Sequence, residues 1–365
     1  MKNFFLYLLI ILSVFSSCGN GNQKNEEGRL VGEKKLARQL QGKRMSYNDF
    51  WGSSIIRCYD DNLFMTSQKK DSLIVVYRIR EDSIEELLYF GLRGRGVYEF
   101  NRPLYCFAGH DLAMLNIQDG GFCDKIVTID LEHLSETPTI DYGKWQIQDV
   151  SWLRGFRIGG GFIRLSECEY LFAGARYKDA NLLTYINVNN HEEKALGYWI
   201  DDNVEIPNIP KQGVYNENAR LFYNERKNRL LYLSGEGWYL DLMEYNDKCV
   251  KPVRVLYDRK PHYGNQDGLN YLIYMGTVRG MFVAVTDSYI YAMPRIAEDY
   301  ETGYKGYYMN HFDEIDRFDW DGKYIETLCL NVPCYSFAVS DNDDYLYAVT
   351  DDPETGETYV SRYTL

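Results

Sequence analysis

The feature that most constrains this chain is a pattern of short strands that recurs from about residue 45 to the C-terminus. Short runs rich in Tyr, Phe, Ile, Leu and Val alternate with polar turns, and helical periodicity is almost absent. Within each recurrence an apolar strand and a polar turn are followed by a strand such as L-x-Y, a variable loop, a third strand, a turn and a last strand. Each recurrence therefore predicts a four-stranded antiparallel meander.

The pattern occurs six times along the chain. The copies begin at Asp61, His110, Glu167, Asn228, Asp287 and Asp343. A meander cannot bury both of its faces alone, so neighbouring copies must stack and the row must close on itself. The sequence predicts an all-β fold, a six-bladed β-propeller with about 53 residues per blade, and seven blades of about 45 residues are the alternative.

The last copy leaves its blade incomplete. It ends on a third strand at Leu365, and an unpaired edge there would promote aggregation. We expect residues 29–40, which precede the first copy, to pair beside the C-terminal strand and close the ring.

Three segments resemble a known family: FGLRGRGVYEF, RFDWDGKYIETLCL and SFAVSDNDDYLYAVTDD. They look like the TolB-like six-bladed propeller lipoproteins of Gram-negative, Bacteroides-type bacteria, in which G-x-x-G-x-G-P-x-E-F is usual. The matching residues are Gly91, Gly94, Gly96, Glu99 and Phe100, and Val97 stands where that family has Pro. The resemblance covers nearly all of residues 29–365 and implies the fold, but most members have no assigned activity.

The glycines of this stretch suggest either a phosphate-binding loop or a hinge. A phosphate loop needs a helix N-terminus behind the glycines. Here they lead instead into Val97-Tyr98-Glu99-Phe100, which reads as a strand. We interpret the glycines as the hinge between the outer strand of one blade and the inner strand of the next.

The N-terminus predicts export and lipid attachment. Lys2, an apolar run at 4–15 and two serines precede Cys18, so residues 1–17 are typical of a signal peptide. The cleavage site resembles the lipobox of bacterial lipoproteins, in which the Cys carries the lipids; an ordinary signal peptide beside a coincidental Cys is the alternative. Residues 18–28 beyond it predict a disordered tether, and 29–365 a single domain. We expect an outer-membrane lipoprotein of the cell envelope, held by lipid on Cys18 and facing the periplasm or the surface.

The net charge and the cysteine pattern indicate whether the chain binds nucleic acid and whether it forms disulfides. The net charge is −13, and no basic patch is present, so nucleic acid is not expected as a partner. Seven scattered cysteines follow Cys18 without a CxxC motif, which favours buried free thiols over a disulfide framework. A Cys329–Cys334 disulfide is the open alternative.

Catalytic and metal motifs are sparse in this sequence. Neither HExxH nor GxSxG occurs among its residues, so we predict no catalytic residue, metal site or cofactor. The acidic strings at 341–344 and 351–354 carry oxygen ligands that suit Ca²⁺, but Asp, Asn and Pro between strands are more typical of turns.

The remaining candidates are binding residues on loops that a propeller places at one end. An insertion in the fifth copy holds Tyr304, Tyr307 and Tyr308, and the equivalent loops of the third and fourth copies carry Arg176 and Trp238. Arg93 and Arg95, on the glycine stretch, are suited to a carboxylate or a sugar hydroxyl, or are simply solvated. The chain has 33 tyrosines, so a cluster is also compatible with composition alone. These residues predict a binding or scaffold module for an envelope protein, peptide or glycan. One alternative is a propeller hydrolase or lyase that acts on a glycan or lactone in the central channel. The other is a ring that only spaces other envelope components.

Overall fold

The computed structural model describes residues 37–118, 122–132, 134, 139–153, 156–176, 181–202, 208–216, 218–235, 238–260, 262–266, 269–273, 278–296, 312–352 and 354–365. The predicted signal peptide, Cys18 and the tether lie outside these residues. So does the segment 297–311 with Tyr304, Tyr307 and Tyr308. The described residues contain six antiparallel sheets of four principal strands, arranged in a ring, which confirms the predicted six-bladed β-propeller.

Two short strands precede the first sheet, β1 (Ala37–Leu40) and β2 (Lys43–Arg44). Blade one contains β3 to β6, at Gly52–Tyr59, Asn62–Ser67, Ser72–Ile79 and Ile84–Arg93. A two-residue strand, β7 (Glu99–Phe100), follows it. Blade two contains β8 to β11, at Arg102–Ala108, Asp111–Ile117, Cys123–Asp130 and Gln146–Asp149, with a 3-10 turn at Tyr142–Lys144.

Blade three contains β12 to β15, at Phe156–Arg164, Glu169–Arg176, Leu183–Asn187 and Glu192–Leu196. A helix, α1 (Asn208–Asn216), lies between blades three and four. Blade four contains β16 to β19, at Arg220–Asn224, Arg229–Leu233, Trp238–Asn246 and Cys249–Arg259, with a 3-10 turn at Glu225–Lys227.

A separate hairpin, β20 (His262–Gln266) and β21 (Leu269–Ile273), leads from blade four to blade five. Blade five contains β22 to β25, at Val278–Val285, Tyr289–Ile296, Phe312–Asp319 and Tyr324–Cys334. Blade six contains β26 to β28, at Ser336–Val339, Tyr345–Asp351 and Thr358–Thr364.

The ring has two ends with different connections. The loops joining second to third strands, and the connections from each outer strand to the next inner strand, lie at one end because the strands of a meander alternate in direction. We call this end the loop face. The turns joining first to second and third to fourth strands form the other end, which we call the turn face. The first strand of each blade is the inner one. Contacts between neighbouring inner strands join β8 to β12, β12 to β16, β22 to β26 and β26 to β3.

An N-terminal strand closes the ring, as predicted, but a different one from that expected. β2 pairs antiparallel with β28 and supplies the fourth strand of blade six. The expected donor segment, residues 29–40, is represented by β1, which pairs in parallel with β25 as a fifth strand of blade five. Residues 37–40 therefore pair with blade five and not with blade six, because the chain crosses the outer edge of blade five before it reaches the incomplete blade.

The core lies between the blades. Five apolar clusters are each built from adjacent sheets. Met65 of blade one and Val349 of blade six are both fully buried in the cluster that spans the closure, and Met45 joins them from the N-terminal segment. Blade stacking therefore supplies the burial that a single meander lacks.

The glycine run of β12 allows two inner strands to approach closely. Gly161 donates a backbone hydrogen bond of 2.5 Å to the carbonyl of Ala219. A Cβ at Gly161 would lie 2.8 Å from the nitrogen of Leu221 and 2.9 Å from the Cα of Arg220. Only glycine leaves room for this contact between blades three and four.

The cysteines described are thiols, most of them buried. Cys58, Cys106 and Cys123 are buried, and burial raises the pKa of Cys106 to about 11 and that of Cys123 to about 12, which makes them poor nucleophiles. Cys329 and Cys334 both lie on β25 as free thiols, so the alternative disulfide between them is not formed.

Candidate functional site

The glycine stretch after blade one forms the hinge that the sequence predicts. Gly91 and Gly94 have φ values of 72° and 155°, which L side chains rarely adopt. Past the turn, β7 pairs in parallel with the end of β6, and β8 then begins the inner strand of blade two.

The hinge loop is held by internal contacts. The carboxylate of Glu99 accepts a 2.8 Å hydrogen bond from the nitrogen of Gly96. The ammonium of Lys125 donates to the carbonyls of Gly96 and Val97 at 2.6 and 2.7 Å and lies 5.2 Å from the ring centre of Phe100. Burial lowers the pKa of Lys125. Because a carboxylate already occupies the loop nitrogen, this loop does not form a phosphate cradle.

The structure places the predicted arginines on the loop face. Arg93 ends β6 and Arg95 lies in the hinge loop, and both side chains are exposed. Arg176 ends β13 and is also exposed, but its guanidinium contacts both carboxylate oxygens of Glu193 at 2.8 and 2.5 Å. Arg176 is thus engaged within its own blade, which weakens its assignment to partner binding.

For the other predicted binding residues, the structure gives only the positions of the strands that carry or flank them. Trp238 is the first residue of β18, at the loop face. The insertion with Tyr304, Tyr307 and Tyr308 connects β23 to β24, so its two anchoring strand ends also lie at the loop face.

A group of exposed apolar side chains lies at the same face and was missed from the sequence. Seven large hydrophobic side chains of the described residues are exposed. Five of them lie in loop-face connections or at adjoining strand ends, and we call them the apolar patch: Trp51, Leu92, Val97, Tyr98 and Phe122. Their positions in separate loops give no linear motif, so only the fold brings them to one end.

Contacts of Lys69, Arg93 and Lys125 connect the apolar patch across blades one and two. The ammonium of Lys69 lies 5.7 Å from the ring centre of Trp51. The nitrogen of Arg93, next to Leu92, donates to the carbonyl of Asp71 in the same loop as Lys69. Lys125 joins the hinge loop to the start of β10, beside Phe122.

Many tyrosines have a structural role between or within blades. The hydroxyl of Tyr291 donates to Asp343 of the next blade at 2.8 Å, and that of Tyr257 donates to the buried Asp316. Such pairs satisfy carboxylates at the contacts between blades, so part of the tyrosine content follows from blade packing.

Asp241 is the buried carboxyl with the most unusual environment. It is fully buried on β18 and accepts hydrogen bonds from the hydroxyls of Tyr198 and Tyr239, while its Oδ1 has no hydrogen-bond partner. Burial raises the pKa of Asp241 to about 6. The group is poised to titrate, but it lies inside the blade interface and not in an open site.

The acidic turns are used internally. Asp343 has φ 61° and accepts hydrogen bonds from Thr286 and Tyr291 at 2.8 Å each. Asp352 accepts backbone hydrogen bonds from Glu354 and Thr355. The string at 341–344 forms a turn, as its composition favours, whereas Asp351 is the last residue of β27.

One cluster of potential metal ligands lies on the turn face. His110, Asp111 and Asp130 offer ligand atoms within 4.8 Å of one another. Asp111 is already ion-paired with Arg164, and Asp130 accepts from the nitrogen of Glu132. The sequence search missed this cluster because Asp130 comes from the third strand of the blade, far along the chain from His110.

Comparison with known proteins identifies the fold. No family model and no curated protein matches the sequence. A DUF4221 family member from Bacteroides vulgatus has a similar solved structure, with a TM-score of 0.52 and 11% identity, covering 93% of this chain and 99% of that one. TolB from Acinetobacter baumannii has a TM-score of 0.40 and 9% identity, covering 81% and 60%. An auxiliary nutrient binding protein from Bacteroides thetaiotaomicron has a TM-score of 0.47 and 9% identity, covering 86% and 70%. The predicted resemblance is one of fold, which this chain shares with the DUF4221 protein at a TM-score above 0.5.

Proposed function

We propose that this chain is a binding module of the cell envelope that captures a protein, peptide or glycan on its loop face. The apolar patch is the observation that carries this proposal. Exposed apolar side chains gathered on one face are typical of interaction sites, and aromatic residues contribute most to such contacts. Arg93 and Arg95 flank the patch on β6 and in the hinge loop.

The patch can be tested against a matched control. We expect Trp51→Ala, Val97→Ser and Phe122→Ser together to weaken ligand binding at least tenfold, which corresponds to about 1.4 kcal/mol. The control combines Ile147→Ser and Val253→Ser, two side chains that are each 39% exposed but lie on outer strands away from the loop face. Ligands would first be found by thermal shift of the purified protein with oligosaccharides, peptides, divalent metals and EDTA, because a ligand specific for the folded state raises the unfolding midpoint.

The outcomes separate the two classes of function. Equal loss of binding in patch and control variants would contradict the loop-face assignment. Stabilisation by a divalent metal, reversed by EDTA, would favour the hydrolase or lyase alternative.

We also propose that lipid on Cys18 holds the module at the outer membrane. The support is the sequence pattern around Cys18, and no helix among the described residues is long and apolar enough to cross a membrane. We expect Cys18→Ser to move the protein from the membrane fraction to the soluble fraction and to abolish labelling by an alkyne-bearing fatty acid. A wild-type protein without label, in either fraction, would contradict lipidation.

A further inference from the structure

The inner strands of four consecutive blades carry an arginine at their loop-face end. These are Arg102, the first residue of β8; Arg157, the second of β12; Arg220, the first of β16; and Arg279, the second of β22. In the sheet register, Arg102 lies opposite Ile117 and Arg220 opposite Leu233, each the last residue of a second strand. Because inner strands surround the channel, these four backbone positions lie around its loop-face mouth.

The same strand ends carry no acidic residue. The first two positions of all six inner strands contain no Asp or Glu. At the other end, the turns between first and second strands carry eight acids, with Arg226, Lys227 and His110 also present: Asp60, Asp61, Glu167, Glu225, Asp287, Asp341, Asp343 and Asp344. The loop-face ends of the inner strands are therefore basic, although the net charge of the chain is −13.

The arginines at the two ends of the inner strands also differ in their ion pairs. Near the turn face, Arg57 lies 3.3 Å from Asp341, and Arg164 is ion-paired with Asp111. At the loop face, Arg102 is exposed and makes no side-chain hydrogen bond or ion pair with any described residue. The guanidinium of Arg220 lies 5.0 Å from the ring centre of Phe282 on the next inner strand. Cations gathered at the mouth of a cleft concentrate the field there and attract anions.

Aromatic residues occupy the corresponding places in the other two blades. Trp51 immediately precedes β3 and is 41% exposed, and Tyr335 immediately precedes β26 and is half-buried. The mouth thus combines guanidinium groups, which bind carboxylates through paired hydrogen bonds, with flat apolar rings. A charged sugar ring offers both features, since its carboxylate suits arginine and its C–H face packs on an aromatic ring.

We propose that the loop-face mouth of the channel binds an acidic oligosaccharide, with Arg102 and Arg220 receiving its carboxylates. This inference rests on the proposed function, because it names the ligand class of the same face. Trp51 belongs both to the apolar patch and to the mouth, so the two surfaces are continuous.

The test compares a uronic-acid trimer with the neutral hexose trimer of the same length, by calorimetry on the full chain. We expect the uronate to bind at least tenfold more tightly than the neutral trimer, and its affinity to fall as salt is raised. Arg102→Gln and Arg220→Gln together should weaken uronate binding at least tenfold. Arg57→Gln, an inner-strand arginine at the opposite end, should leave it unchanged.

Thermal unfolding checks that the variants fold. Arg102→Gln alone is the second variant, and we expect it to fold normally because the Arg102 side chain makes no hydrogen bond or ion pair with any described residue. Equal binding of the two trimers, lost in the apolar-patch variant, would overturn this inference while leaving the proposed function intact. Binding of a glutamate tripeptide but not of the uronate would also overturn it, in favour of an acidic peptide. Uronate binding unaffected by the loop-face arginine variants would show that the site lies elsewhere.

Discussion

Deletion of residues 1–46 is expected to destabilise the propeller by about 3–6 kcal/mol and to lower its unfolding midpoint by about 4–9 °C. The deletion removes β1 and β2 and the buried side chains of Leu40 and Met45, which are 5% and 2% exposed. Burying each side chain of this kind contributes about 1.5–3 kcal/mol. The unpaired edge of β28 should also promote aggregation.

Ion pairs at the same place add to the closure. Arg38 of β1 contacts both carboxylate oxygens of Glu326 at 2.9 and 3.0 Å, and Arg44 of β2 lies 2.7 Å from Glu357. Deletion of residues 1–28, which removes only the predicted signal peptide and tether, is the control and should leave the midpoint of the domain unchanged. Equal midpoints for the two deletions would contradict closure by the N-terminal strands.

Asp241→Asn is expected to change how stability depends on pH. The pKa of Asp241 in the folded protein is about 6, above the value of about 3.9 for an unfolded chain. The folded state therefore binds this proton more tightly, so the contribution is complete below about pH 4 and is lost as pH rises through about 6. The two-unit difference corresponds to about 3 kcal/mol.

The measurement is denaturant unfolding of both proteins between pH 4 and pH 7. Other carboxyls, such as Asp82 and Glu357, have lowered pKa values and affect both proteins alike. The difference in unfolding free energy should therefore shift in favour of Asp241→Asn by about 3 kcal/mol as pH rises to 7. Parallel pH profiles would show that Asp241 is not protonated preferentially in the folded state.

The blade number could be predicted because each copy starts at a recognisable turn. All six predicted starting points lie in the turns between first and second strands. Asp61, Asn228 and Asp343 have φ values of 57°, 53° and 61°, in the left-handed region that Asp and Asn tolerate better than other side chains. The choice of closing strand could not be predicted, because β2 has only two residues and its pairing depends on tertiary contacts.

The candidate site was predictable only where it coincides with a linear motif. The hinge glycines and Arg93 lie in one stretch and were found from the sequence. The arginines of the channel mouth come from four blades, and each is an ordinary residue in its own strand. Their relation depends on which strand is innermost, and the sequence pattern left that unassigned.

The central claim is that the loop face binds the ligand. Hydrogen–deuterium exchange of the full chain, with and without the uronic-acid trimer, tests it most directly because it reports on both faces at once. We expect slower exchange in the hinge loop at 94–101 and at the start of β16, with no change in the turn at 340–344. Slower exchange confined to that turn, or unchanged exchange throughout the ring, would contradict the claim.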